Sequence, residues 1–158
     1  GMDYIKQETE KLASYCQGRE VVTVEDVEKV CATQTTSHIF DMISAIANKK
    51  QQQALDLYYD LLELKEPPMR ILYLIVRQFN GILQVKDLMS RGVSGKEIAS
   101  RIGAAPFVAG KYQAQAKYFE MSTLLDALNE CARTEEAVKQ GRLNDRLGVE
   151  LIIIKYSK

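Results

Sequence analysis

The 158-residue sequence predicts an all-α fold in the form of a helical bundle. Apolar residues recur in most segments at the three- and four-residue spacing of amphipathic helices. Hydrophobic residues make up 46% of the chain, enough to bury a core. The one strand-like run, "LIII" at residues 151–154, has no partner strand in the sequence. Because a lone strand is not stable, we expect helix there too.

The first 36 residues predict two short helices and then a break. Residues 3–17 have near-helical apolar spacing that Gly18 ends, and "TVED" at residues 23–26 is typical of an N-cap followed by an acidic first turn. The polar stretch "ATQTTS", residues 32–37, is the predicted break and the candidate domain boundary. Two short helices cannot bury both their faces, so we expect residues 1–36 to be the end of a domain whose beginning is missing.

Three longer helices are predicted next. The first covers residues 37–48, and the second covers residues 54–62 and is ended by the "KEPP" that contains Pro67. The third covers residues 68–91, with Pro68 in its first turn. Its apolar residues surround nearly the whole helix, and such a helix is normally buried. We therefore expect it to be the central rod of the bundle.

Four further helices complete the predicted bundle. Their predicted bounds are residues 95–102, 106–119, 122–140 and 145–156. Ser94 and Glu97 are spaced as a capping box at the start of the first of these helices. Gly103 is predicted to end that helix in a left-handed conformation.

The glycines near Lys96 do not form a phosphate-binding loop. Such a loop needs Ser or Thr directly after its Gly-Lys pair, to bind magnesium, and a strand before it. Here Glu97 follows Gly95-Lys96, and no strand is predicted upstream.

A helix-turn-helix is the stronger alternative for residues 95–119. The second helix of such a motif presents base-reading side chains at its start, but Pro106 and Phe107 offer no hydrogen bonds there. Polar residues that are able to touch phosphates come a turn later: Lys111, Gln113, Gln115 and Lys117. The alternative to DNA recognition is a packing role for this helix, which we expect for Phe107, Gly110 and Ala114. A stand-alone helix-turn-helix-like DNA-binding protein is thus the alternative function.

Charge and composition narrow the function classes. Basic and acidic residues balance at 21 each, although residues 86–117 have six basic against two acidic. Nucleic-acid-binding domains are usually more basic. The chain has one histidine, His38, and three widely spaced cysteines, which predicts no metal site, no cofactor and no catalytic set. Without a long apolar run we expect no membrane contact and a cytoplasmic location.

The order of the sequence blocks resembles the delta subunit of the bacterial DNA polymerase III clamp loader. The similarity runs through "VTVEDVEKVC" at 22–31, residues 37–88, and "SGKEIASRIGAAPFVAGKYQAQAKYF" at 94–119. It ends in "AVKQGRLNDRLGVELIII" at 137–154 and so covers nearly the whole chain. Each block alone is weak, whereas their order is specific to the family.

The resemblance implies a domain plan and a role. Residues 1–36 would be the end of a small helical AAA+ lid domain plus a linker, and residues 37–158 a complete all-α collar domain. The collar would pack against the other loader subunits, which makes this chain a non-catalytic assembly scaffold. The sliding clamp would bind only the missing N-terminal domain. The family works as a subunit of a DNA-directed DNA polymerase (nucleotidyltransferase) holoenzyme without itself hydrolysing ATP.

The turn before the last helix carries the few residue-level predictions. Lys139, Gly141 and Glu150 match the family's pattern there, and we assign them structural roles, with Gly141 as a helix C-cap. Arg142 and Arg146 make the turn basic. One hypothesis is that residues 139–146 touch DNA within the loader, and the alternative is a solvated basic turn.

Five residues are thus candidate DNA contacts. They are Lys139, Arg142, Arg146, Lys111 and Lys117.

Overall fold

The computed structural model describes the backbone of residues 24–158 and the side chains of residues 34–158. This part of the chain forms seven helices and no strand, which confirms the all-α prediction. The helix predicted at residues 3–17 and the N-cap at Thr23 lie outside the described residues. The helices are α1 (Val24–Ala47), α2 (Gln51–Glu63), α3 (Pro68–Ser90), α4 (Gly95–Ile102), α5 (Pro106–Ala116), α6 (Met121–Lys139) and α7 (Asp145–Tyr156).

Helix α1 runs without interruption through the stretch that was predicted to break it. The prediction of a break at residues 32–37 was wrong because that stretch has no Gly or Pro, and Ser and Thr only weaken a helix. One of its threonines is also held by tertiary contacts: Thr35 is buried, and its Oγ1 donates to Glu66 Oε1 at 3.0 Å. The division into domains at residue 36 stays a prediction.

Helix α3 is the central rod, as its apolar surface predicted. It packs against α1, α4, α5, α6 and α7. Pro68 is at its first position, where a proline loses no helical hydrogen bond. Its buried residues are Ile71, Leu72, Ile75, Gln78, Phe79, Ile82 and Val85.

A buried glutamine pair connects three helices. Gln78 Nε2 on α3 donates to Gln115 Oε1 on α5 at 2.7 Å. Gln115 Nε2 donates in turn to the Phe40 carbonyl at 3.2 Å and to Ser44 Oγ at 2.8 Å, both on α1. The expectation that Gln115 is free to touch phosphates was therefore wrong, because burial and these three bonds occupy its amide.

Helices α4 and α5 form a smaller second cluster on α3. Ile98 and Ala99 on α4 pack with Val85 on α3 and Ala109 on α5. Helix α5 ends at Ala116, three residues before the predicted end.

One of the two predicted caps of α4 is confirmed. Gly103 follows α4 with φ +67°, which confirms the left-handed cap. Ser94 is the N-cap residue, but its side chain makes no capping bond. The predicted capping box was wrong because Glu97 instead pairs with Arg101, at 2.7 Å, one turn further along the helix.

Helices α6 and α7 pack closely at Gly148. A Cβ on Gly148 would lie 2.9 Å from Thr134 Cγ2 and 3.1 Å from Leu143 Cδ2. The nearer neighbour, Thr134, is buried and has a stiff β-branched side chain, so it has little room to move aside. The close approach of the two helices therefore requires a glycine.

We predict that Gly148→Ala destabilises the fold by about 1–3 kcal/mol, because it overpacks this contact. Gly110→Ala is the matched control, since it also adds one methyl group to a glycine inside a helix. A Cβ at Gly110 meets nothing within 4 Å. The control should thus stabilise the chain by up to about 1 kcal/mol. Urea unfolding of both variants measures the difference, and equal effects at the two positions would contradict this account of the packing.

Candidate functional site

Residues 139–146, called the tip turn below, connect α6 to α7. Gly141 has φ +72°, a conformation that L side chains rarely adopt. The Gly141 amide donates to the Val138 carbonyl at 3.0 Å and the Arg142 amide to the Ala137 carbonyl at 2.9 Å. These two bonds form a Schellman motif, which confirms Gly141 as the C-cap glycine of α6.

The other end of the tip turn is capped by side chains. Asn144 Oδ1 accepts from the Leu147 amide at 3.0 Å, so Asn144 is the N-cap of α7. Asp145 Oδ1 accepts from the Arg146 amide at 2.7 Å. A carboxylate at this position also favours the positive end of the helix dipole. Both ends of the turn are therefore fixed by local hydrogen bonds.

Two tyrosines of α2 fasten the start of α7 to the bundle, and one of them reaches the tip turn itself. Tyr58 is fully buried, and its hydroxyl donates to the Arg146 carbonyl at 2.7 Å. Tyr59 donates to Glu150 Oε1 at 2.7 Å. Burial raises the pKa of Tyr58, and the hydrogen bond to Glu150 raises the pKa of Tyr59. No local pattern in the sequence signals these hydroxyl bonds, which join residues that are 88 and 91 positions apart.

The three basic residues of the tip turn differ in whether they form an ion pair. Lys139 forms an ion pair with Glu135 at 2.7 Å, which raises the pKa of Lys139. Arg142 and Arg146 have exposed side chains and form no ion pair within residues 34–158. The turn thus offers two guanidinium groups to a ligand on a backbone that is fixed at both ends.

The other two candidate DNA contacts lie elsewhere, so the five do not form one site. Lys111 is on α5 and Lys117 directly follows it, whereas the tip turn is held by α2. Lys111 Nζ lies 4.8 Å from the ring centroid of Phe40 and 5.8 Å from that of Phe107. This is the geometry of a cation–π interaction with each ring.

The packing role predicted for Phe107, Gly110 and Ala114 was wrong, because all three are exposed. Phe107 is 68% exposed. Helix α5 instead turns Ala109 and Ala116 toward α3 and α4, which brings the opposite face to the surface. Further exposed apolar side chains are Tyr118, just after α5, and, on other helices, Tyr73, Met89, Leu125, Leu147 and Leu151.

The described residues show little that suggests chemistry. No group of three or more His, Cys, Asp or Glu residues able to hold a metal occurs among side chains 34–158. His38 Nδ1 lies 2.9 Å from the Gln34 carbonyl oxygen one helical turn away. Burial raises the pKa of Cys131 to about 12, which makes this thiol a poor nucleophile. No helix within residues 24–158 is long and apolar enough to cross a membrane.

A helical bundle with exposed apolar helix faces and a fixed basic turn is typical of a domain that binds other macromolecules. The chain belongs to the family "DNA polymerase III delta subunit, C-terminal domain", which matches residues 36–156. The family resemblance seen in the sequence is thereby confirmed.

Two relatives carry the comparison further. The chain is 33% identical, over 154 residues, to DNA polymerase III subunit delta of Bacillus subtilis (strain 168). Its fold matches the solved structure of the Bacillus subtilis DNA clamp loader delta protein (YqeN) with a TM-score of 0.78 and 32% identity, over 96% of this chain. The chain spans 44% of the length of each of these relatives.

We predict that Tyr58→Phe destabilises the fold by about 1–2 kcal/mol, because the hydrogen bond from the buried hydroxyl to the Arg146 carbonyl is lost. Tyr58 ionises less readily in the folded protein than in the unfolded chain, in which the pKa of a tyrosine is about 10. Its contribution to the free energy of unfolding is therefore complete below pH ~10 and is lost as the pH rises further. The Phe variant should accordingly show a shallower alkaline decline.

The control for this prediction is Tyr73→Phe. Tyr73 is 61% exposed, so the loss of its hydroxyl should change the unfolding free energy by less than about 0.5 kcal/mol. Denaturant unfolding at pH 7 and at two alkaline pH values measures both variants. An identical alkaline decline in the wild type and in Tyr58→Phe would contradict the assignment.

Proposed function

We propose that this chain is a non-catalytic assembly scaffold that holds the delta subunit in the ring of a bacterial clamp loader. The observation that carries the proposal is the fold match, with a TM-score of 0.78, to a DNA clamp loader delta protein. The partners are the other clamp-loader subunits, and the sliding clamp is bound by parts of the subunit beyond this chain. The setting is the replicating bacterial cytoplasm.

The surface supports a scaffold with more than one neighbour. Exposed apolar side chains lie on α5 and just after it, at Phe107 and Tyr118, and separately on α7, at Leu147 and Leu151. A subunit inside a ring meets its two neighbours through unlike surfaces, because the contacts are head-to-tail. Two separate apolar faces of different composition fit that requirement.

The alternative of a stand-alone DNA-binding protein has less support. The family and one relative are DNA polymerase III delta subunits and the solved structure is a DNA clamp loader delta protein, which favours the loader. Helix α5 also begins with Pro106 and Phe107, which offer no hydrogen bond to a base edge. Its residue Gln115, a candidate for phosphate contact, is buried.

Assembly with loader subunits tests the proposal directly. We predict that the chain, mixed with the other clamp-loader subunits of its own organism, forms a defined hetero-oligomer in size-exclusion chromatography with light scattering. Each protein alone and the chain with an unrelated helical protein are the controls. A chain that elutes separately from every loader subunit, while those subunits assemble with the whole delta subunit, would refute a scaffold role for this part of the protein.

We further propose that the tip turn contacts DNA inside the assembled loader, through Arg142 and Arg146. Both guanidinium groups are exposed and form no ion pair within the described side chains, and the backbone that carries them is fixed by Gly141 and Tyr58. Guanidinium groups so placed suit phosphate oxygens. Lys139, paired with Glu135, is a weaker contact in this proposal. Contact by Lys111 and Lys117 stays a prediction.

Charge reversal tests the DNA contact. We predict that Arg142→Glu and Arg146→Glu each weaken DNA binding of the assembled loader several-fold at low salt and reduce the slope of log affinity against log salt by about one. Lys96→Glu is the control, because Lys96 is an exposed residue of α4 on the helix-turn-helix-like segment. Unchanged binding by both arginine variants would show that the tip turn is a solvated basic turn. A loss only for Lys96→Glu would favour α4 as the DNA contact.

A further inference from the structure

The outward face of α5 carries exposed apolar side chains that packing within the described part of the chain does not explain. We call it the α5 face and define it by exposed residues at helical spacing: Phe107, Gly110, Lys111, Ala114, Lys117 and Tyr118. Phe107 and Tyr118 are 68% and 64% exposed. Phe107 lies in the first turn of α5 and Tyr118 lies two residues beyond its last residue, so the two rings stand at opposite ends of the helix. Large aromatic side chains this exposed at both ends of one face are typical of contact surfaces.

A notch lies beside this face, between α5 and α1. Its volume is about 160 Å³, and its lining includes Phe40, Ala47, Ala114 and Tyr118. That is room for one large apolar side chain rather than for a small-molecule ligand, which typically needs ~300 Å³ or more. The notch is therefore shaped to receive a single projecting residue.

Gly110 is not explained by packing within the chain. It lies inside α5, where a glycine weakens the helix relative to alanine. A Cβ there would meet nothing within 4 Å, so no described neighbour requires its absence. With Ala114 one turn further on, it leaves a shallow floor between Phe107 and Tyr118. Small residues at this spacing let the backbone of a second helix approach closely.

The charges of the α5 face have one sign. Residues 98–119 contain three basic residues and no acidic residue. Lys117 forms no ion pair with any described side chain, and Lys111 is held over the rings of Phe40 and Phe107. A partner that covers this face must supply carboxylates, because burying unpaired ammonium groups is costly.

We propose that the α5 face docks one amphipathic helix of a neighbouring clamp-loader subunit, which inserts a large apolar side chain into the notch and pairs Asp or Glu with Lys111 and Lys117. The inference rests on the proposed function and names the surface through which that assembly occurs. Single-stranded DNA needs a positively charged groove that follows its backbone. The notch has room for one side chain, and its exposed surface is mainly apolar although Ser44, Asn48, Lys111 and Gln115 also line it.

The first test removes the two aromatic side chains. In the chain mixed with its loader subunits, Phe107→Ser combined with Tyr118→Ser should weaken assembly about tenfold or more, as expected for central aromatic anchors. The Tm of the chain alone should not fall, because both rings are exposed. Tyr73→Ser with Leu125→Ser is the matched control, since these side chains are exposed on other helices and should assemble like the wild type.

A second variant separates docking from folding. Gly110→Gln should leave the Tm equal or higher, because the new side chain meets open space and suits a helix. The same variant should weaken assembly about tenfold, because it fills the floor on which the partner helix lies. A merely structural glycine would show no loss of assembly. Lys111→Glu with Lys117→Glu should weaken assembly most at low salt.

A photo-cross-linker at position 107 identifies the occupant in the reconstituted loader. An adduct with a helical segment of another loader subunit that carries acidic residues supports the proposal. An adduct with a second copy of this chain, an adduct with DNA, or the absence of any adduct overturns it. If the wild type assembles and the variants assemble equally well, the α5 face is not the docking surface, while the proposed function stands. If the wild type itself does not assemble, the proposed function fails and this inference fails with it.

Discussion

The burial of most of the α3 surface is the constraint on which the rest of the structure depends. Apolar residues cover most of its circumference and leave one stripe to water, which includes Arg70, Tyr73 and Arg77, so other helices must pack around the rest. Five of them do so, and Phe79 and Ile82 are almost completely covered as a result. Losing one such side chain typically costs ~2–5 kcal/mol, a large share of the stability of a domain of this size.

The arrangement of the surrounding helices follows from the apolar surface of α3 that they must cover. Helices α4 and α5 are too short to bury much surface by themselves, and they form a small separate cluster around Val85. Because α5 is needed there only on its inner side, its outer side is free to carry Phe107 and Tyr118 to the surface. The requirements of the core thus determine which side of α5 is free for another function.

Sequence reasoning predicted those features that depend on local chemistry. The bounds of α4 and α7 were predicted correctly, and local chemistry marks two of their four ends: Gly103 ends α4 and Asn144 caps the start of α7. The break at residues 32–37 was predicted wrongly because a polar stretch was given more weight than the absence of a helix breaker. The roles of Gln115 and Phe107 were wrong because amphipathic spacing in an alanine-rich helix leaves its rotation undetermined.

Long-range contacts of the tip turn could not have been predicted from sequence. The bond from Tyr58 to the Arg146 carbonyl joins residues 88 positions apart, and either group alone is unremarkable in a pattern. That same bond has a thermodynamic consequence. A turn held by Gly141, Asn144 and Tyr58 has little conformational freedom left before any ligand arrives. When a ligand binds Arg142 and Arg146, the backbone of the turn therefore loses little entropy. The cost of ordering the protein is confined to the two arginine side chains.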